Sequence, residues 1–312
     1  MPRVAVAIGL TFGVVADELL GDPRRGHPVA GYGRLVTALE ARCYADSRTR
    51  GGLFTLLAFV PLVAGARLLE MRVRSRPLVH GSLVAVATWT VLGGHSLRRV
   101  GAALADDLTA GDRDAARALI SSLCGRDPEV LDHAGLTRAC VESLAENTSD
   151  AVVAPLLWGA VAGFPGLLGY RAVNTLDAMV GHRSARYARF GTASARLDDA
   201  VNLVPARVTA GLMLAVAPVV GGSLRSGWAA WREDAPAHPS PNAGVCEAAA
   251  AGVLGARLGG TTVYAGRVER RPDLGPDHEP EAADIRRMIR LSRAVEIGAL
   301  AVAALVAVRG RR

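Results

Sequence analysis

The sequence predicts an all-α integral membrane protein with several membrane helices, some broken or re-entrant, joined by helical cytoplasmic loops. Three observations carry this. Half of the 312 residues are apolar and the mean hydropathy is +0.25, more apolar than an ordinary water-soluble domain. The apolar residues fall in runs that approach the ~20 residues needed to cross a bilayer. Several runs contain Pro, Gly or Arg, which are tolerated at membrane depth where protein lines a cavity.

The elements follow in order. Residues 4–16 form an apolar run closed at once by Asp17 and Glu18. With no convincing small-residue cleavage site, it reads as a retained membrane helix rather than a signal peptide. Further runs occupy 51–70 (with Pro61 and Arg67), 78–94, 151–173 (with Pro155 and Pro165), 203–224 (with Pro205, Arg207 and Pro218) and 294–308. The first and last are short and need flanking residues to span. Polar segments lie at 21–50, 95–150, 174–202 and 225–293 of what reads as a single membrane-embedded domain, residues 1–312. Residues 98–120 have the pattern of an amphipathic helix with a Gly-Asp break. Residues 267–283 read as a charged, Pro-rich surface loop. Arginine counting favours 21–50 and 95–150 in the cytoplasm, but 71–77 carries three arginines of its own, so topology stays open.

Composition also excludes. The chain has no Lys and no Gln, so all 36 basic residues are Arg. No lysine is available for a Schiff base or a P-loop. There is no GxxxxGK[ST], no GxGxxG after a strand, no GxSxG and no HExxH. The net charge is +7, but the arginines are dispersed between apolar runs without interleaved aromatics, so nucleic acid is not an expected partner. Cys43, Cys124, Cys140 and Cys246 lie far apart with no CxxC, which fits free thiols in a reducing compartment.

Four polar constellations border the apolar runs. In "VESLAENTSDAVVAPL", Glu142, Glu146 and Asp150 are spaced four and four, one helical face. Like charges so placed repel unless something compensates them. One reading is a Mg²⁺ site, since Mg²⁺ bridges one or two carboxylates to substrate phosphates. The other is an acidic first turn complementing the dipole of the following helix. In "YRAVNTLDAMVGHRSARYARFGTASARLDDAVNLVPAR", residues 170–207, Asn174, Asp177, His182, Arg183, Arg186, Arg189, Arg196, Asp198, Asn202 and Arg207 sit between two apolar runs. Arginines beside acids there fit an anionic substrate plus a metal; a solvated loop with surface ion pairs is the plainer reading. "DELLGDPRRGHPVAGYGRL", residues 17–35, carries His27 in a Gly-rich turn, either an anion cradle or a simple juxtamembrane turn. "SPNAGVCEAAAAGVLGARLGG", residues 240–260, places Asn242 at the start of a small-residue helix that contains Glu247; close helix packing alone explains its Ala and Gly.

Taken in order, "GDPRRGHPV", the "VESLAEN" and "SDAVVAPL" blocks, "YRAVNTLDAMVGHR", "FGTASARLDDAVNLVPAR" and "SPNAGVCEAAAAGVLGARLGG" resemble the adenosylcobinamide-phosphate synthase family of cobalamin biosynthesis, from about residue 9 to about residue 293. The resemblance implies a multi-pass protein of the cell (inner, cytoplasmic) membrane, with its active site facing the cytoplasm. It implies amide ligation of adenosylcobyric acid with (R)-1-aminopropan-2-ol or its O-phosphate, with ATP as co-substrate and Mg²⁺ as cofactor. The implied partners are the corrinoid, the amine, the lipid bilayer and other corrinoid-assembly enzymes. An acyl-phosphate route needs a metal on the polyphosphate, arginines on the transferring group and a base for the ammonium. On that chemistry we expect Glu142, Glu146, Asp150, Asp177 and Asp198 as metal ligands. Arg183, Arg196 and Arg207 would hold phosphates, with Arg196 acting in catalysis, and His27 or His182 would be the base. Asn174, Asn202, Asn242 and Glu247 would contact substrate. A non-catalytic membrane regulator or sensor on the same scaffold, and a transporter with charged broken helices, are the alternatives.

Overall fold

The computed structural model describes residues 2–23, 26–182, 184–264 and 267–309. In chain order its helices are α1 (Pro2–Leu20), α2 (Pro28–Cys43), α3 (Arg48–Val73), α4 (Pro77–Val91), α5 (Gly94–Ala110), α6 (Arg113–Ile120), α7 (His133–Thr148), α8 (Ala154–Leu176), α9 (Thr192–Ala215), α10 (Leu224–Glu233), α11 (Ala243–Leu254) and α12 (Ala282–Arg309). Wide π turns at Ser149–Val153 and Asp177–Gly181 follow α7 and α8. One antiparallel hairpin, β1 (Leu258–Tyr264) with β2 (Arg267–Leu274), completes the described chain.

Local sequence explains several helix starts. Asp112, Asp132 and Ser223 accept backbone N–H groups of Ala115, Gly135 and Ser226, which caps α6, α7 and α10. Pro28 and Pro77 open α2 and α4, where a missing N–H costs nothing. The Gly-Asp break expected within 98–120 falls between α5 and α6, as its cap chemistry demands.

Among the described residues, four helical stretches are long and apolar enough to cross a membrane: Arg48–Val73, Pro77–Ala110, His133–Gly181 and Ala282–Arg309. This makes the chain a helical membrane protein. The first apolar run forms α1, but Arg3, Asp17 and Glu18 leave it too charged, and Asp17 is fully buried. The run at 203–224 does not qualify either, because its helix α9 begins back at Thr192 with Arg196, Asp198 and Asp199, and it ends at Ala215. The short final run does qualify, because α12 extends back to Ala282. The 267–283 segment is not all loop: residues 267–274 pair with β1, so the hairpin satisfies their backbone groups.

The chain folds into two compact units: residues 1–93, 154–202 and 300–312, and residues 94–153 and 203–299. In the first, α1 lies along α4 and α3 packs on α8. Val36, Phe54, Ala58, Leu176, Val180 and Phe190 form a buried cluster there. The helix α8 is broken at Gly163, whose φ of 66° suits only glycine, followed by Phe164 and Pro165. The break is capped from outside the helix. Glu70 Oε1 of α3 accepts the Phe164 N–H at 3.1 Å and faces His80 Nε2 at 3.2 Å, while Arg67 donates to Oε2 at 2.9 Å. A Cβ on residue 163 would overlap Glu70 Oε1. Thus the break expected from Pro165 and the glycines exists, and a buried carboxylate holds it. In the second unit α10 packs on α11, and α5, α6 and α11 pack on α7. Thr148 and Ser292 join α7 to α12 by a 2.8 Å hydrogen bond.

Candidate functional site

The acidic ladder lies in the second unit, and its rungs differ. Glu142 is buried, whereas Glu146 and Asp150 are half-buried. Arg126 donates to Glu142 Oε2, and the Gly259 N–H donates to Oε1 at 2.6 Å. Gly259 sits at φ 83° in the irregular start of β1, which turns its N–H out of the hairpin's own hydrogen bonding. Both oxygens of Glu142 are therefore occupied by the protein. Asp150 falls within the π turn, so the α-helical spacing that stacked three carboxylates holds only as far as Glu146. The dipole reading of the ladder fails for a related reason: α7 runs through the π turn into α8, and no new helix starts beside these acids.

The helix α11 faces the ladder. Its Glu247 carboxylate is 1% exposed. Glu247 Oε2 has His238 Nε2 at 3.6 Å, and Oε1 has Arg271 Nη1 at 4.0 Å. Both are beyond hydrogen-bond length, and neither Glu247 Oε2 nor His238 Nε2 has a hydrogen-bond partner among the described residues. Burial holds the Glu247 carboxyl well above its ordinary 4.5, the nearby charges of Glu142 and Glu146 add to this, and Arg271 and Arg126 oppose it. Burial also lowers the pKa of His238 below 6.5, against a raising hydrogen bond with the Ser240 backbone. His238 Nδ1 lies 3.1 Å from the Ser240 nitrogen and 3.2 Å from the Ser240 carbonyl oxygen, which holds the ring with Nε2 facing Glu247. Arg207 Nη1 donates to Asn242 Oδ1 at 3.2 Å, so these two expected substrate contacts are adjacent. The neighbouring Cys124 thiol is pushed above its ordinary 9.0 by burial, which leaves it a poor nucleophile.

The other expected residues lie in the first unit. Asn202 donates to Asp198 Oδ2 at 3.0 Å and accepts from the Tyr170 hydroxyl at 2.9 Å. Asn174 accepts from Arg171 at 3.2 Å. Asp177 opens the second π turn. Arg196 is exposed on α9. His27 caps α2, with Nδ1 accepting the Val29 N–H at 3.2 Å, and exposed His182 packs edge-on against Tyr187. Both histidines thus have identifiable structural contacts. Arg183 lies outside the described residues.

Among the described residues, no three His, Cys, Asp or Glu side chains form a ready metal cage. The second unit fits Mg²⁺ differently. This ion takes one or two carboxylates and completes its octahedron with water and substrate phosphate. Glu247, with a buried orphaned oxygen, and Glu146, whose charge acts on it, are the carboxylates that would hold such an ion. Glu142 is already held by Arg126 and the Gly259 N–H. Arg126, His238, Gly259 and Arg271 were missed from sequence. Only "HPSPN" around His238 and the β-branched "TTVY" at 261–264 offered a local signal.

Known proteins match the chain over nearly its whole length. The family model described as CobD/Cbib protein matches residues 10–292. Relatives named cobalamin biosynthesis protein CobD include one from Mycobacterium tuberculosis, 52% identical over 98% of this chain and 97% of the relative. One from Rhodobacter capsulatus is 44% identical over 98% and 96%, and one from Geobacter metallireducens is 43% identical over 97% and 96%. No solved structure matches the chain.

Proposed function

The chain belongs to the CobD/Cbib family of cobalamin-biosynthesis proteins, and from that premise we propose that it is the amide-forming ligase of the family resemblance. Its substrates are adenosylcobyric acid and (R)-1-aminopropan-2-ol or its O-phosphate. ATP is the co-substrate, and the reaction takes place at the cytoplasmic face of the cell membrane. The observation that carries the reading is Glu247: a carboxylate buried with one oxygen unpartnered, beside Glu146, Arg271 and His238. Burying such a group without partners costs several kcal/mol, which a bound substrate complex offsets.

In the proposed reaction a propionate oxygen of the corrinoid attacks the γ-phosphorus of ATP, and ADP leaves. The amine, its ammonium proton passed to water, then attacks the acyl carbon and gives up its second proton to the departing phosphate. The C–O bond to phosphate breaks, and inorganic phosphate leaves with the amide formed. Bound Mg²⁺ would neutralise polyphosphate charge, with Glu146 and Glu247 as the residues that hold it. His238 Nε2 stands 3.6 Å from Glu247 Oε2, beside the carboxylate but without a hydrogen bond to it. Asn242, oriented by Arg207, presents amide hydrogen-bonding groups to the corrin periphery, and Arg207 supplies charge for phosphate.

The test is direct. The detergent-purified chain is supplied with adenosylcobyric acid, either amine form, ATP and Mg²⁺, and products are resolved by mass spectrometry. We expect an amide product and stoichiometric ADP. Folded protein that makes neither with either amine would overturn the ligase reading. Corrinoid accumulation in proteoliposomes without amide formation would favour transport instead.

A further inference from the structure

We propose that a cavity in the first unit, bordered by the end of α3 and the start of α4, binds an anionic phospholipid. The cavity has a volume of about 890 Å³. Arg3, Arg67 and Arg74 line it, with Glu70 and His80 as its other charged or titratable groups. Three arginines thus face one carboxylate, itself held by Arg67, His80 and the Phe164 N–H, so the lining carries a positive balance suited to a phosphate. His80 is 3% exposed, and its Nδ1 has no hydrogen-bond partner among the described residues. With Nε2 directed to Glu70, Nδ1 is the ring atom left for a headgroup hydroxyl.

A second observation concerns the rest of the ligand. An apolar groove of about 240 Å³ lies against Phe59, Trp158, Gly166 and Tyr170, and Ala162 borders both the groove and the basic cavity. The junction falls at the Gly163 break, where α8 opens. Val161, which lines the cavity, is 69% exposed on a helical stretch apolar enough to cross a membrane. A free phosphate uses only the basic cavity. An acyl chain also fills the groove, and this adjoining pair of spaces selects a lipid. Arginines that served only as interfacial anchors would need neither cavity nor groove.

Trp158 makes the site readable. The full-length chain is reconstituted in phosphatidylcholine vesicles doped with brominated-acyl phosphatidylglycerol or with brominated-acyl phosphatidylcholine. The Trp158 contribution is isolated by subtraction of the Trp158→Phe variant. We expect saturable quenching at low mole fraction by the phosphatidylglycerol and no such phase with the phosphatidylcholine. The Arg3→Gln/Arg74→Gln double variant should weaken apparent binding about 30-fold, the combined loss of two arginine attractions to an anionic lipid. Arg67 is kept because it holds Glu70. If the double variant does not insert, Ala162→Trp, which fills the junction, should abolish the saturable phase. Equal quenching by the two lipids, or quenching indifferent to these substitutions, overturns the proposal. Binding of sn-glycerol 3-phosphate in detergent as tightly as the lipid would assign the cavity to a free phosphate and also overturn it.

Discussion

Glu70 in the first unit and Glu247 in the second are both buried glutamates, each with a histidine beside it and an arginine within 4.0 Å. Their surroundings differ by fractions of an ångström and by one donor. Glu70 accepts a backbone N–H and an arginine N–H and has histidine at 3.2 Å, so its charge is absorbed into the break of α8. Glu247 has its histidine at 3.6 Å, its arginine at 4.0 Å and an oxygen with no partner among the described residues. A satisfied buried carboxylate is architecture. One left short of partners keeps its desolvation cost, and such a cost is retained where something outside the chain completes the shell. Glu142 sharpens the point within the second unit: it belongs to the acidic ladder, yet Arg126 and Gly259 put it with Glu70.

The comparison breaks most readily at Glu70. Glu70→Ala strands Arg67, His80 and the Phe164 N–H, and should destabilise the fold by about 3–5 kcal/mol, the usual loss when one side of a buried pair is removed. Chemical unfolding in detergent measures this, with specific activity of the folded fraction unchanged. At Glu247 the outcome should invert. Glu247→Gln removes an uncompensated charge, so thermal stability should hold or rise. Amide formation should fall about 10²-fold, of the size seen when a metal's supporting groups are lost, or ~2.7 kcal/mol at 1.36 kcal/mol per decade. Equal activity in that variant across a Mg²⁺ titration would falsify the site. The smallest effect is in pH. Because the native Glu247 carboxyl is held above 4.5, the folded state binds this proton more tightly than the unfolded chain. Its contribution is present at and below the unfolded value and is lost as pH rises through the folded one. In Mg²⁺-free buffer the stability difference between wild type and Glu247→Gln should shift against the wild type as pH rises above 4.5. Thermal midpoints over that range check the sign.

Legibility from sequence followed the range of the interactions. Helix α6 and its cap at Asp112 were readable because a cap involves neighbours three residues apart. The break in α8 was readable because Pro165 and the glycines restrict backbone locally. The carboxylate that holds the break was not, since Glu70 lies 94 residues away from Phe164 and looks like an ordinary acid near the end of an apolar run. The acidic ladder is legible from its spacing, which treats Glu142, Glu146 and Asp150 alike. Only the 117-residue separation between Glu142 and Gly259, closed by β1, tells the first from the others. Glu247 was singled out in its motif, yet as a substrate contact, because burial is not a property that spacing reveals.

The sequence by itself determined the membrane character, the helical content, the positions of the breaks and the family, since hydropathy, capping chemistry and long ordered motifs are written along the chain. The tertiary structure alone decided which carboxylates are neutralised and which are left short. That choice depends on which donors arrive from distant segments, and electrostatic cost in a low-dielectric interior is set by the partners within a few ångströms.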